Sequence, residues 1–318
     1  MVSGSYRIGE YTIQITAPET VNGPKNMEKF RATDEAAEKK SSVGNSRLGE
    51  LRRAENSSGS AAVPLHYVLQ MTDQIGAVME QVRRRQIGAE ICREDLTILY
   101  TEQGECRFLK FHGADWVYAV SEAVSVQEYR IFFSERVMDL LNLDTVFWSP
   151  FCLERLAMEQ NALILHSAYM CRKGKAVLFS APSGTGKSTQ AGLWEKYRGT
   201  RTINGDRSLL LQKPDGWYAA GWPICGSSEI CSNEAFQLEA IVMLSQSPQN
   251  QIRRLRGAEA FRELFPQITV NAWNREFQTK AMDSLEQLLS EIPVYHLACN
   301  ISEDAVCCLE KCLENGKD

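Results

Sequence analysis

Metal-site spacing is absent from this chain. It carries ten cysteines and four histidines, yet no Cys-x-x-Cys pair occurs and no compact Cys/His cluster has zinc spacing. The cysteines therefore read as reduced, small apolar side chains. Three of them, Cys307, Cys308 and Cys312, lie close together, and on a helix Cys308 and Cys312 would share a face. Long hydrophobic runs are missing too. No apolar stretch approaches the ~20 residues that span a bilayer, and Met1-Val2-Ser3-Gly4-Ser5-Tyr6-Arg7 lacks a hydrophobic signal core. There is no basic excess either: 35 Lys and Arg stand against 40 Asp and Glu, a net charge of −5, which argues against a general nucleic-acid binder. These absences point to a cytoplasmic protein with neither a membrane nor a nucleic acid among its partners. What is present is an ordinary globular composition, 44% hydrophobic and 24% charged over 318 residues, enough for one large or two modest domains.

The most informative stretch is Ala181-Pro182-Ser183-Gly184-Thr185-Gly186-Lys187-Ser188-Thr189, a phosphate-binding P-loop pattern. Gly184 and Gly186 let the backbone bend so that successive N–H groups point at phosphate oxygens. Lys187 can reach the β- and γ-phosphates, and the Ser188 hydroxyl can ligate Mg²⁺. Residues Ser183, Gly184, Thr185, Gly186, Lys187, Ser188 and Thr189 are the expected nucleotide contacts. The context agrees. Ala176 to Ser180 is a short apolar run, as a buried strand should be, and Ser188 to Lys196 can be helical with Ala191 and Trp194 on one face. Ala181 stands where glycine is usual, which is tolerable if its φ stays negative.

Upstream, Tyr6 to Ile15 alternates apolar and polar residues and reads as one strand. Residues 41–62 are rich in Gly, Ser, Asn and charge and read as a flexible insertion. His66 to Met71, Leu96 to Tyr100, Cys106 to Phe111, Trp116 to Val120 and Glu128 to Phe133 follow as strands of an antiparallel meander, while Met79 to Arg85 fits either a short helix or the sheet. The aromatics between Phe108 and Tyr129 fall in strand-like runs and read as sheet core. Thr145 to Asn161 fits a helix started by Pro150. The division expected is a mainly β N-terminal region over 1–145 and a nucleotide-binding domain over 146–318.

Leu163 to Met170 and the P-loop strand, joined near Lys173-Gly174, read as a β-hairpin. With the turn centred at 173, His166 falls seven residues before it and Ser180 seven after, which brings His166 to the mouth of the P-loop. There it could act as a structural hydrogen bonder or serve the chemistry. Thr202-Ile203-Asn204-Gly205-Asp206-Arg207 offers a carboxylate for Mg²⁺ in Asp206 and also fits an Asx turn; Arg207 could pair it or steady transferring charge. The loop Gly221 to Glu229 is either a substrate-contacting loop or a plain connection, with Glu229 a weaker second ligand. Downstream, strands are expected at Leu238–Leu244, Gln251–Leu255 and Val294–Leu297. Helices are expected at Ala258–Leu264, Arg275–Leu289 and Ser302–Leu313. The basic run Arg253-Arg254-Leu255-Arg256 reads as a solvated face.

Taken together, His166-Ser167-Ala168, the hairpin, the P-loop and Asn204-Gly205-Asp206-Arg207 resemble the kinase domain of HPr kinase/phosphorylase, whose fold is shared with phosphoenolpyruvate carboxykinase. The segment Gly221-Trp222-Pro223-Ile224-Cys225-Gly226 and the strand Val294-Tyr295-His296-Leu297 are similar to shorter HPr-kinase-like proteins. The resemblance covers about residues 160 to 313. It implies an α+β or α/β fold with a mixed sheet and an ATP-dependent kinase that uses Mg²⁺ and acts on a Ser or Thr hydroxyl of a peptide or small protein. A homo-oligomer is a further implication. Lys187 and Ser188 match the family's phosphate lysine and metal-binding hydroxyl, His166 its upstream histidine, and Asp206 the second of two adjacent acids. Position 205, the first of that pair, is glycine here. A small-molecule kinase or a catalytically weakened nucleotide-binding accessory protein are the alternatives.

Overall fold

The computed structural model describes residues 1–32 and 64–315, so the insertion expected at 41–62 lies outside the described residues. The chain divides into two units, one made of Met1–Val21 and Phe30–Met138, the other of Asn22–Lys29 and Asp139–Asp318. Both are mixtures of helix and strand with sheets of mixed orientation.

The first unit is built on β1 (Val2–Ile8), β2 (Tyr11–Ala17), β3 (Leu65–Thr72), helix α1 (Ile75–Arg83), β4 (Ile87–Cys92), β5 (Leu96–Thr101), β6 (Gly104–Lys110), β7 (Val117–Ala123) and β8 (Glu128–Ser134). The sheet order is β1-β2-β3-β8-β7-β6-β5-β4. Two expectations are corrected here. The alternation from Tyr6 to Ile15 is not one strand: Gly9-Glu10 turns the chain, and β1 pairs back on β2 with Ile8 opposite Tyr11. Nor is the sheet a pure antiparallel meander. The strands from β4 to β8 do follow one another antiparallel, but β3 is inserted parallel to both β2 and β8. Helix α1 settles the ambiguous 79–85 stretch. Ile75, Val78, Met79 and Val82 recur at helical spacing and pack on Leu99, Cys106, Phe108, Val117 and Val120.

The second unit opens with two short helices, α2 (Asp144–Trp148) and α3 (Glu154–Glu159). The single helix expected over Thr145–Asn161 is interrupted because Pro150 sits in an intervening 3-10 turn and Cys152 adopts a left-handed φ of 54°, a conformation no helix continues through. Then come β9 (Leu163–Arg172), β10 (Lys175–Ser180), α4 (Lys187–Arg198), β11 (Arg201–Asn204), β12 (Arg207–Lys213), β13 (Gly216–Gly221), β14 (Ala235–Gln246), β15 (Gln251–Leu255), α5 (Gly257–Leu264), α6 (Arg275–Glu291), β16 (Val294–Cys299) and α7 (Glu303–Asn315).

Strands β10, β14 and β16 run parallel. The sheet order is β10-β9-β12-β13-β14-β16-β15, and because β10 also pairs with β14 the ladder closes on itself through β9, β12 and β13. Along β10 and β14 successive residues serve opposite faces, as a pleated strand requires. Leu178, Ile241 and Met243 pack under α5 and α6, whereas Val177, Phe179, Val242 and Leu244 pack under α4 and α7. Burial on both faces explains why these strands read as continuous apolar runs rather than alternating ones. Helix α6 turns Phe277, Ala281, Leu285 and Leu288 inward, and Asn274 caps it by accepting from the Phe277 N–H.

Candidate functional site

The β9–β10 hairpin sets the geometry. Its turn lies between Arg172 and Lys175, which pair directly, so Ser180 stands opposite Ser167. The register is thus one residue away from that expected. His166 sits one step beyond the last paired residue of β10, and its carbonyl accepts a hydrogen bond from the Ser180 hydroxyl at 2.8 Å. Immediately after Ser180 the chain leaves the sheet through residues 181–186, the loop for which the sequence predicts phosphate binding. Gly184 and Gly186 adopt φ of 78° and 117°, a region open to glycine at little steric cost. Ala181 is buried and is absent from the positive-φ residues, so its methyl is accommodated.

The side chains of this loop fall into two groups. Lys187 is 7% exposed. Its Nζ donates to the carbonyls of Ala181 at 2.9 Å and Pro182 at 3.3 Å. Burial pushes the ammonium below its ordinary pKa, and the charge of Asp206 offsets part of that shift. Ser183, Gly184, Ser188 and Thr189 are exposed at the start of α4, where the N-terminal amides and the helix dipole favour an anion. The Thr185 hydroxyl closes the loop onto the Pro182 carbonyl at 2.9 Å.

Asp206 arrives from the neighbouring strand. Strand β12 pairs with β9 so that Arg207 lies opposite His166, and the Ser167 N–H donates to the Asp206 carbonyl at 2.9 Å. The turn ahead of it is an Asx turn. The fully buried Asn204 accepts from the N–H groups of Asp206 at 2.9 Å and Arg207 at 3.0 Å, and donates its own amide to the Trp222 carbonyl at 2.6 Å. The Asx turn that the sequence allowed is therefore present, and it presents the Asp206 side chain. The Asp206 carboxylate has His166 Nε2 at 3.5 Å and Arg207 Nε at 3.3 Å; Arg207 is itself fixed by a hydrogen bond to the Thr269 hydroxyl at 2.8 Å. Burial alone would raise the Asp206 carboxyl. The hydrogen bond from His166, with the charges of Arg207, His166 and Lys187, outweighs burial and holds the group below the usual carboxylate range. The Ser188 hydroxyl donates to the Gly205 carbonyl at 3.3 Å, which ties α4 to the same turn.

Two contacts here are silent in the sequence. A Cβ on Gly205 would stand 2.5 Å from Ser228 Cβ and closer still to its hydroxyl. A Cβ on Gly226 would meet the Asp206 carboxyl carbon at 3.1 Å. The loop from Cys225 to Cys231 therefore lies against the turn carrying Asp206, and the Gly205 N–H donates to the Ile230 carbonyl at 3.0 Å. Asp144 holds the loop by accepting from the Cys225 N–H at 2.6 Å. Glu229, weighed as a second ligand, is exposed, and what its main chain offers is a carbonyl for Asn26. Among the described residues no group of three or more His, Cys, Asp or Glu gathers in a way that could hold a metal ion.

Residues 133–314 match the model of the family described as SynChlorMet cassette protein ScmC. The chain belongs to this family. The ScmC match takes in His166, all of Ala181–Thr189, the Asp206 turn and the loop packed on it. Among curated proteins none matches. Among solved structures, that of the Hpr(Ser) kinase/phosphatase from Coxiella burnetii is matched with a TM-score of 0.30 at 10% identity, over 48% of this chain and 90% of that one. No helix among the described residues is long and apolar enough to cross a membrane.

Proposed function

We propose that this ScmC-family chain is an ATP-dependent kinase that transfers the γ-phosphoryl group to a Ser or Thr hydroxyl of a peptide or small protein. The observation that carries the reading is one turn that presents an Asp206 carboxylate flanked by His166 and Arg207, is tied through the Gly205 carbonyl to Ser188, and lies within the reach of the Lys187 charge. The amides of Ser183 to Thr189 and the Lys187 ammonium hold the phosphate chain. Lys187, resting on loop carbonyls, needs only to swing its Nζ onto a phosphate oxygen. Ser188 and Asp206 supply hard oxygen donors that suit Mg²⁺. Phosphate oxygens and water would complete the shell, as is usual for this ion. When bound, Mg²⁺ neutralises charge on the transferring phosphoryl group.

Asp206 stays ionised at neutral pH, so it can accept a hydrogen bond from the acceptor hydroxyl and take its proton as the new phosphorus–oxygen bond forms and the bond to the ADP oxygen breaks. His166 orients the carboxylate, and Arg207 fixes its second oxygen. A loose transition state asks little of a base, so one acid serves where positioning is good. The test is transfer of labelled γ-phosphate from ATP to a peptide library. Label on peptides, lost in Lys187→Ala and Asp206→Asn, supports the reading. Label only in a metabolite pool would make the protein a small-molecule kinase, and tight ATP binding without turnover a nucleotide-binding accessory protein. Full activity in Lys187→Ala would sink the phosphate role of the loop.

A further inference from the structure

The loop packed against the acidic turn holds two thiols together. Beyond β13 the chain reaches Cys225, passes through a 3-10 turn at Gly226–Ser228, and returns to Cys231. Gly226 and Glu229 take left-handed φ of 59° and 54°. The Ser228 hydroxyl donates to the Cys225 carbonyl at 2.7 Å and accepts from the Ile230 N–H at 3.3 Å. The chain therefore reverses on itself, and the Cys225 and Cys231 side chains come into hydrogen-bond contact. Both are free thiols, 1% and 3% exposed. Five intervening residues leave no Cys-x-x-Cys signal, which is why the sequence does not announce the pair.

The surroundings of the two sulfurs are polar and unequal. The Cys225 S–H has Asp144 Oδ2 as an acceptor at 3.1 Å, and the Asn26 side-chain amide donates to the Cys225 sulfur at 3.2 Å. Asp144 is fixed there by the Cys225 N–H at 2.6 Å. At the other end of the loop, Lys29 Nζ rests on the Cys231 carbonyl at 2.9 Å. The bond from Cys225, with the Lys29 charge, outweighs burial and holds the Cys231 thiol below its ordinary pKa. The same bond, burial and the Asp144 carboxylate push the Cys225 thiol up. A cysteine that only fills space needs neither a carboxylate nor a cation beside it. Here one thiol leans toward thiolate while its neighbour keeps a proton against an acceptor, which divides an attacking cysteine from a resolving one.

We infer that Cys225 and Cys231 form a dithiol site that exchanges with a low-molecular-weight disulfide and closes to a reversible intramolecular disulfide. The Cys231 thiolate attacks one sulfur of the small disulfide. That S–S bond breaks, one small thiolate leaves and takes a proton from solvent, and Cys231 carries a mixed disulfide. Cys225 then gives its proton to Asp144 and attacks the Cys231 sulfur. The mixed S–S bond breaks, and the second small thiolate leaves and takes up that proton. Two protein thiols lose two electrons, and one small disulfide is reduced to two thiols. Glu229 and Ile230, between the pair, are exposed, so the reagent gains access when this short loop opens. The closed disulfide ties both ends of the loop that sets Gly226 against Asp206. No nucleotide takes part, so this chemistry is independent of the phosphate reading.

Mass mapping of the whole chain tests it. The folded protein is incubated with oxidised glutathione, quenched in acid, unfolded, alkylated and digested with trypsin. Residues 208–253 leave as one peptide, because Lys213 precedes Pro214, and its only cysteines are Cys225 and Cys231. That peptide is expected two hydrogens lighter than the reduced form, with no alkyl label, and dithiothreitol should restore both labels. Cys225→Ser should stop at one glutathione on Cys231, and Cys231→Ser should leave Cys225 a free thiol. Asp144→Asn should lengthen the life of the mixed disulfide. The exposed Cys92 takes glutathione in every sample and shows that the reagent is active. Two alkyl labels on residues 208–253 beside a glutathionylated Cys92 would overturn the site. So would a disulfide that forms only in urea. Glutathione taken by Cys225 in Cys231→Ser would overturn the assignment of the attacking sulfur, and an unchanged mixed disulfide in Asp144→Asn the proton-accepting role of Asp144.

Discussion

Position 205 has no room for a side chain, because Ser228 occupies the space where a Cβ would go. An acidic side chain introduced at this position would therefore have to displace Ser228. Gly205→Ala is expected to cost about 1–3 kcal/mol, the usual penalty for overpacking, read from urea denaturation. Adding Ser228→Gly should return part of that loss, giving a coupling that two independent sites would not show. At Asp206 the sign of the pH effect follows from its depressed pKa. Its stabilising contribution is complete above the unfolded carboxylate value of about 3.9 and is lost as pH falls through the lower folded value. The stability gap between the wild type and Asp206→Asn should therefore narrow from pH 6 to pH 3; a gap that widens would contradict the pairing with His166 and Arg207. The strand, glycine-bearing loop and helix around Ala181–Thr189 were legible because their residues are consecutive. The place of His166 beside that loop was legible through hairpin register, with an error of one residue. The contacts of Ser228 with Gly205 and of Gly226 with Asp206 were not, since they join residues some twenty positions apart with no local pattern to announce them.

Among the elements, strands that neighbour one another in sequence were readable and inserted ones were not. Strand β3 pairs parallel to β2 and β8, and a parallel ladder leaves no turn signal beside it. The break between α2 and α3 depends on Cys152 taking a left-handed conformation, which nothing about cysteine foretells. Helix α6 is the opposite case: its apolar stripe and its cap are both local. Its Asn274 side chain accepts from the Phe277 N–H at 3.0 Å, so Asn274→Ala should lower stability by about 1 kcal/mol. Because α6 packs on the core beneath β10 and β14, the loss should appear in the unfolding midpoint of the second unit. Fraying confined to the first turn, with an unchanged midpoint, would show instead that the cap serves only its own helix.

On the scale of the molecule, the chain crosses between its units more than once, and this matters for the site. Residues Asn22–Lys29 belong to the second unit, far in sequence from the rest of it. Within that unit Lys29 Nζ donates to the Cys231 carbonyl at 2.9 Å, and Asn26 donates to the Cys225 sulfur at 3.2 Å and the Glu229 carbonyl at 3.3 Å. These bonds hold the two ends of the loop that lies against Gly205 and Asp206. A fragment starting at residue 139 would keep the P-loop, His166 and Asp206 but lose this brace. Hydrogen exchange should then quicken at the N–H groups of Cys225 and Gly205, which are bonded to Asp144 and to the Ile230 carbonyl, relative to the whole chain. Lys29→Ala in the whole chain should act in the same direction and more weakly. Amides within α6 serve as the internal reference. If the loop amides of the fragment keep the protection they have in the whole chain while α6 is unchanged, the early segment has no part in holding the acidic turn. If they lose it, Asp206 depends on residues more than a hundred positions upstream, and any excised second unit must carry them.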